Sequence, residues 1–198
     1  MKKSAVTVFI LLLGAAYMVT CSGCSGAGKY KKYSSTDPEL NLTMYYIPGW
    51  EFSETRGAHN SYVDVYFGEP WDKVRAKTRR ASIEVVSFQV PKTGTPDISA
   101  LAEGIAAGKL RLNDGKLLGK AKIKLPAGEA MDLSFSFKAP DRLYNTSSKL
   151  LTVKERVVIL KNGDSLYTVK YQNREEAFDK YSKDFNNIVR SIRFKVKR

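Results

Sequence analysis

Cysteine is nearly absent from this chain. Cys21 and Cys24 are its only two, and none follows them. No disulfide framework can brace the domain, so its hydrophobic core has to suffice. Histidine is scarcer still, with a single residue, His59, in a polar loop beside Asn60. Without a second histidine or a cysteine inside the domain, a zinc site of common type cannot be assembled, and no metal or cofactor is expected. No serine sits in a Gly-x-Ser-x-Gly elbow, and there is no complete phosphate loop of the Gly-x-x-x-x-Gly-Lys-Ser/Thr kind. Two carboxylates meeting in space would escape such a scan, but nothing in the residue pattern points to an enzyme. Finally, one apolar run opens the chain and no second one follows it.

That opening run is the most informative segment. Lys2 and Lys3 precede an apolar stretch from Ala5 to Val19, and small residues surround the two cysteines. Charged start, apolar centre and small-residue exit form the tripartite secretory pattern. The stretch is shorter than the ~20 residues that a spanning helix needs. A thiol at the exit is the nucleophile that accepts a diacylglyceryl group. The segment resembles a bacterial lipobox. Ser22 and Gly23 before Cys24 match its usual small pair, although Cys21 stands where the pattern prefers leucine. Cys21 is the alternative, with Val19 and Thr20 before it. The expected organisation is a lipoprotein signal peptide over residues 1–23, a flexible tether over 24–41 and one domain over 42–198. In bacterial lipoproteins of this kind Ser25 after the lipidated cysteine implies the outer membrane, facing the periplasm, given a Gram-negative host.

Lys and Arg number 33 against 20 Asp and Glu, a net charge of +13. Loss of the leader removes only Lys2 and Lys3. Such a balance speaks to partners rather than to fold: anionic lipid headgroups, lipopolysaccharide, acidic polymers or acidic protein faces, whereas an exported compartment argues against nucleic acid. The Gly/Ser-rich tether carries Lys29, Tyr30, Lys31, Lys32 and Tyr33 close to the lipid, where cations attract an anionic leaflet by about 1 kcal/mol each.

Strands are expected at 42–47, 62–67, 82–90, 117–125, 130–138, 150–160 and 165–171. The best of them alternate cleanly, as in Ala121, Ile123, Leu125 against Lys120, Lys122, Lys124, giving one buried and one wet face. Asn162-Gly163 predicts a hairpin turn because both residue types tolerate positive φ. A first helix follows Asp97, a capping carboxylate, with Ile98, Leu101, Ala102 and Ile105 as its stripe, ending near Leu112. A last helix carries Phe178, Tyr181, Phe185, Ile188, Val189 and Ile192 on one face.

Three segments carry a family resemblance: Ile47-Pro48-Gly49-Trp50, the small-residue start of the strand from Gly128 to Phe137, and Tyr167 to Tyr171 leading through Phe178 and Phe185 to Ile188-Val189-Arg190-Ser191-Ile192-Arg193-Phe194. Together they resemble the PsbP-like superfamily, which includes the bacterial DcrB and LpqN lipoproteins. Ile192 departs from it, standing where the family's closing Ser-Phe-x-Phe has its first phenylalanine. The resemblance implies an α+β fold, an antiparallel sheet flanked by helices in an α/β/α sandwich, and a mostly non-enzymatic role as an assembly factor or extrinsic subunit. No metal-site residue of the photosynthetic members maps onto this sequence.

Two basic ladders remain as anion-binding candidates. Lys73, Arg75, Lys77 and Arg79 occupy alternate positions, and Lys120, Lys122 and Lys124 do the same on a more secure strand. Lysines on an exposed strand also discourage edge-to-edge aggregation. The expected partners are therefore the membrane through its lipid, an envelope protein, and an anionic lipid or polymer. Among the aromatics, Trp71, between Pro70 and Asp72, is expected to be exposed.

Overall fold

The computed structural model describes residues 29–56, 62–70, 79–89, 97–141 and 149–195. Ten strands and two helices appear among them: β1 (Lys31–Ser34), β2 (Leu42–Tyr46), β3 (Glu51–Arg56), β4 (Tyr62–Gly68), β5 (Ser82–Gln89), α1 (Ile98–Leu110), β6 (Lys116–Leu125), β7 (Gly128–Pro140), β8 (Leu150–Asn162), β9 (Ser165–Arg174), α2 (Ser182–Ser191) and β10 (Arg193–Phe194). A seven-stranded antiparallel sheet runs β3-β4-β5-β9-β8-β7-β6, and a three-stranded one runs β1-β2-β10.

Alternation along the central strands sorts the core into two clusters. On β8, Val158 and Leu160 join a cluster with Phe185, Ile188 and Val189 of α2, together with Tyr33, Leu42 and Met44 of the small sheet. Their neighbours Val157 and Ile159 join the other cluster, beneath Ala102 and Ala106 of α1. The expected sandwich thus holds in its coarse form, a mostly antiparallel sheet with two helices. The second, three-stranded sheet was not expected.

Local chemistry explains the turns. Ile47-Pro48-Gly49-Trp50 closes with Trp50 N–H donating to the Ile47 carbonyl (3.2 Å), and Gly49 has φ +83°. That is a type II turn, with proline fixing the second position and glycine supplying the third. It drops Trp50 into the core, edge-on to Tyr181 at 5.1 Å. The β8–β9 hairpin is displaced by one residue from expectation. Asn162 pairs with Ser165, so Gly163-Asp164 forms the loop, and of these only Gly163 has positive φ (+58°).

Asp97 caps α1 as expected, accepting from Ser99 N–H at 2.7 Å. Gly104 and Gly108 lie on its exposed side, and the helix stops at Leu110. The closing helix is shorter than its stripe suggests. Phe178 and Tyr181 lie in a 3-10 stretch, Glu175–Tyr181, and α2 proper begins at Ser182.

The folded unit also begins before Leu42. Lys31–Ser34 pairs antiparallel with β2, Tyr33 and Ser35 are buried, and Leu40 is fully so. Tyr33 Oη donates to Glu54 Oε2 at 2.5 Å and Ser35 Oγ to Glu54 Oε1 at 2.9 Å, tying this segment to β3. Much of the expected tether is therefore part of the domain.

Candidate functional site

The lysine ladder lies on β6, an edge of the large sheet, and its three lysines are exposed. Its surroundings differ from the simple wet face expected. Lys120 is opposite Leu133, Lys122 opposite Met131, and Lys124 opposite Glu129. Leu133 and Met131 belong to the cluster beneath α1, so the lysines share a face with that helix and rim it. Ile123 and Leu125 turn the other way and pack against the larger core. Lys120 forms an ion pair with Glu103 on α1.

Beyond Lys120, the helix start and the β6–β7 hairpin bound an open cleft of about 400 Å³. Ile98 and Met131 give it apolar walls, Lys122 and Lys124 line it as cations, and Ser99 and Glu129 complete its polar edge. The Asp97 carboxylate already occupies the Ser99 amide, so the helix end offers less to an anion than an uncapped one. Chemically the cleft suits an amphipathic molecule with an anionic group.

Of the other ladder only Arg79 is described, and it does not join this site. Lys73, Arg75 and Lys77 lie outside the described residues, as do His59, Trp71, Cys21 and Cys24. Arg79 is half-buried: its Nε donates to the Pro140 carbonyl at 2.8 Å and its backbone N–H to Asp141 O at 2.7 Å. Burial pulls its guanidinium pKa down, against the pull of Asp141 and Glu155. Lys124 pairs at the Glu129 end of β7 and Arg79 bonds at the Pro140 end, roughly 36 Å apart along the strand at ~3.3 Å per residue.

Sequence reasoning missed three features. The first is an apolar patch. Leu110 (51% exposed), Leu112 (41%), Leu117 (39%) and Leu118 (53%) stand out of the α1–β6 turn and the start of β6. A bulge between Leu117 and Gly119 shifts the strand register there. The signal was available, because leucines crowd a turn where polar residues are the norm. The second is an ion pair beneath α1. Glu155 is 1% exposed, and Lys109 Nζ approaches its two oxygens at 2.7 and 2.9 Å while lying 4.9 Å from the Phe137 ring.

The third is a pair of carboxylates. Asp64 on β4 and Glu84 on β5 face the same side of the sheet, with Lys170 of β9 ion-paired to Glu84. Burial first, then the Glu84 charge, pushes the Asp64 carboxyl up to about 6, with Lys170 opposing. The pair does not line the lysine cleft. Among the described residues no group of three or more His, Cys, Asp or Glu could hold a metal ion, and no helix is long and apolar enough to cross a membrane.

No family model matches the chain, and no curated protein matches it in sequence. Solved structures do match in shape. The solution structure of cyanobacterial PsbP (CyanoP) from Synechocystis sp. PCC 6803 superposes with a TM-score of 0.58 at 14% identity, covering 89% of this chain and 98% of that one. The crystal structure of LpqN, involved in cell envelope biogenesis of Mycobacterium tuberculosis, gives 0.54 at 13% identity, covering 84% and 91%. At such identities the likeness is one of architecture, and the architecture of this chain is the PsbP-like, LpqN-like fold.

Proposed function

We propose that this chain is a lipid-anchored protein of the bacterial envelope that binds or helps assemble another envelope protein and catalyses no reaction. The observation that carries it is the exposed leucine group at the α1–β6 turn, next to an open sheet edge. Apolar side chains gathered in this way mark contact surfaces, and a free edge can add a strand from a partner. The placement is supported by the leader pattern ending at Cys24, with Cys21 as alternative, and by the shape shared with LpqN, an envelope-biogenesis protein. Ser25 after Cys24 favours the outer membrane, facing the periplasm.

A photo-crosslinking residue at Leu118 should trap one discrete partner in intact cells, and Leu112→Glu should abolish that adduct. The same residue placed at Lys161, on the far hairpin, should trap none. Equal adducts at both positions would refute a specific contact surface. Mass spectrometry of the N-terminal peptide tests the anchor: a mature chain carrying neither cysteine nor lipid would refute it.

A second reading is favoured by the cleft beside Lys122 and Lys124. Its apolar walls and two cations fit an anionic envelope ligand such as lipopolysaccharide or an acidic polymer. Lys120→Glu/Lys122→Glu/Lys124→Glu should then lose salt-sensitive binding to that ligand, and unchanged retention would remove the reading.

A further inference from the structure

The chain is fastened to the domain from its first described residue. Lys29 Nζ lies 2.7 Å from Asp184 Oδ1 of α2, and Tyr30 Oη donates to the same oxygen at 2.6 Å. Asn187 Nδ2 donates to Tyr30 Oη at 2.9 Å, and the Tyr30 ring stacks on Tyr45 at 6.2 Å and 9°. Burial alone would raise the Asp184 carboxyl, but hydrogen bonds from Lys29 and Tyr30 hold it below the ordinary range. From Cys24 to Lys29 is a step of five residues. Fully extended, they reach at most about 18 Å, and starting from Cys21 adds only about 11 Å.

The surface around this point is strongly cationic. Lys183, Asn187 and Arg190 fall on one helical stripe, all exposed, and Asn187 touches Tyr30. Lys32 pairs in register with Tyr45, and Arg193 with Thr43, so both stand on the outer side of the small sheet. Across α2, β1, β2 and β10 there is a single acid, Asp184, and Lys29 and Tyr30 cover it. Tyr45, 41% exposed, adds an amphipathic ring, a residue type favoured where water meets headgroups. The β6 side differs, because Asp97, Glu103 and Glu129 are interspersed with its lysines.

We propose that the face formed by α2 and the outer side of the small sheet lies against the anionic leaflet that holds the lipid anchor. The α1–β6 side is thereby turned outward, toward the periplasmic partner. This rests on the anchor proposed above and adds an orientation to it. Short reach forces the anchored side toward the bilayer, and uncompensated cations within a Debye length of it, ~8 Å at physiological salt, hold it there.

The test uses the full mature protein, purified from bacterial membranes and reconstituted into vesicles of phosphatidylglycerol and phosphatidylcholine, or of phosphatidylcholine alone. Lysine acetylation is followed by mass spectrometry. Lys32 and Lys183 should label about fivefold more slowly in the anionic vesicles, the factor that corresponds to about 1 kcal/mol for one cation near such a leaflet. Lys122 and Lys124 should label alike in both and serve as internal controls. Lys32→Glu/Arg190→Glu/Arg193→Glu should abolish the protection of Lys183 while leaving the melting temperature unchanged. Protection of Lys122 and Lys124 instead, or no protection anywhere, overturns the orientation, as does protection that survives the triple variant. The N-terminal peptide from the same sample separates the two claims. An acylated Cys24 without protection removes the orientation and leaves the anchor, whereas a peptide without an adduct removes both.

Discussion

The two sides of the large sheet are built by different means. On the α2 side 21 of the described residues are buried and interlock, with the rings of Tyr167, Tyr171, Phe67 and Phe185 among the largest. On the α1 side ten of the described residues are buried, α1 contributes Ala102 and Ala106 to them, and the Lys109–Glu155 ion pair helps fasten the helix. One side is held by area and shape, the other by a thin apolar contact and a charge pair. The thin side also carries the exposed leucines and the lysine cleft, so the surface proposed to meet a partner coincides with the lighter packing.

The comparison breaks first if Phe185 is cut back. Phe185→Ala removes a fully buried ring stacked on Tyr171 at 5.5 Å and should cost about 4 kcal/mol in urea unfolding. A loss under ~1 kcal/mol would show that the α2 side is less well packed than described. Next is Lys109→Ala, which takes the ion-pair partner from the buried Glu155 carboxylate and should cost about 3 kcal/mol. Adding Glu155→Leu should recover most of that loss. If the double variant stays as unstable as the single one, Lys109 acts by packing on Phe137 rather than by charge.

A smaller effect carries a sign. The Asp64 carboxyl, raised by burial and by Glu84, keeps its proton to a higher pH in the fold than in the unfolded chain. Stability therefore falls as pH rises from about 4, the unfolded value, to about 6, and stays lower above that. Asp64→Asn removes the penalty and should stabilise the protein by about 1 kcal/mol at pH 8, after discounting for solvent around a partly buried group. Below about pH 4 the gain should vanish. A variant that destabilises at pH 8 would mean that the ionised pair is favourable. Smallest is the release of the N-terminal arm. Asp184 is held low by Lys29 and Tyr30, so their docking persists above about pH 4 and is lost as pH falls below it. Tyr30 iodination should speed up there without global unfolding.

Each side was legible in part in the sequence. Ile188, Val189 and Ile192 announced their helix through spacing, and Leu133, Phe135 and Phe137 announced β7 through alternation. Lys120, Lys122 and Lys124 were correctly read as one face. Which face it was could not be read, because alternation separates two sides without saying where a helix will lie. β1 escaped because Lys-Lys-Tyr-Ser buries a single ring, Tyr33, and owes its extended form to pairing with β2. β3 escaped for a related reason: it is an edge strand with Phe52 56% exposed, its conformation set by its partner Phe67 and neighbours on β4. Glu155 looked like any surface acid until Lys109 arrived from a helix 46 positions away.

The small sheet has a consequence for biogenesis. β2 is its middle strand, bonded on one side to residues near the start of the domain and on the other to Arg193 and Phe194 near its end. Ile188, Val189 and Ile192, which seal the larger core, come from the same late stretch. An N-terminal fragment emerging on its own has strands to pair but lacks the segment that closes them, and such non-local closure is slow. If Cys24 is acylated during export, the chain acquires its lipid while still unfolded, and the domain forms afterwards, already tethered at the bilayer surface.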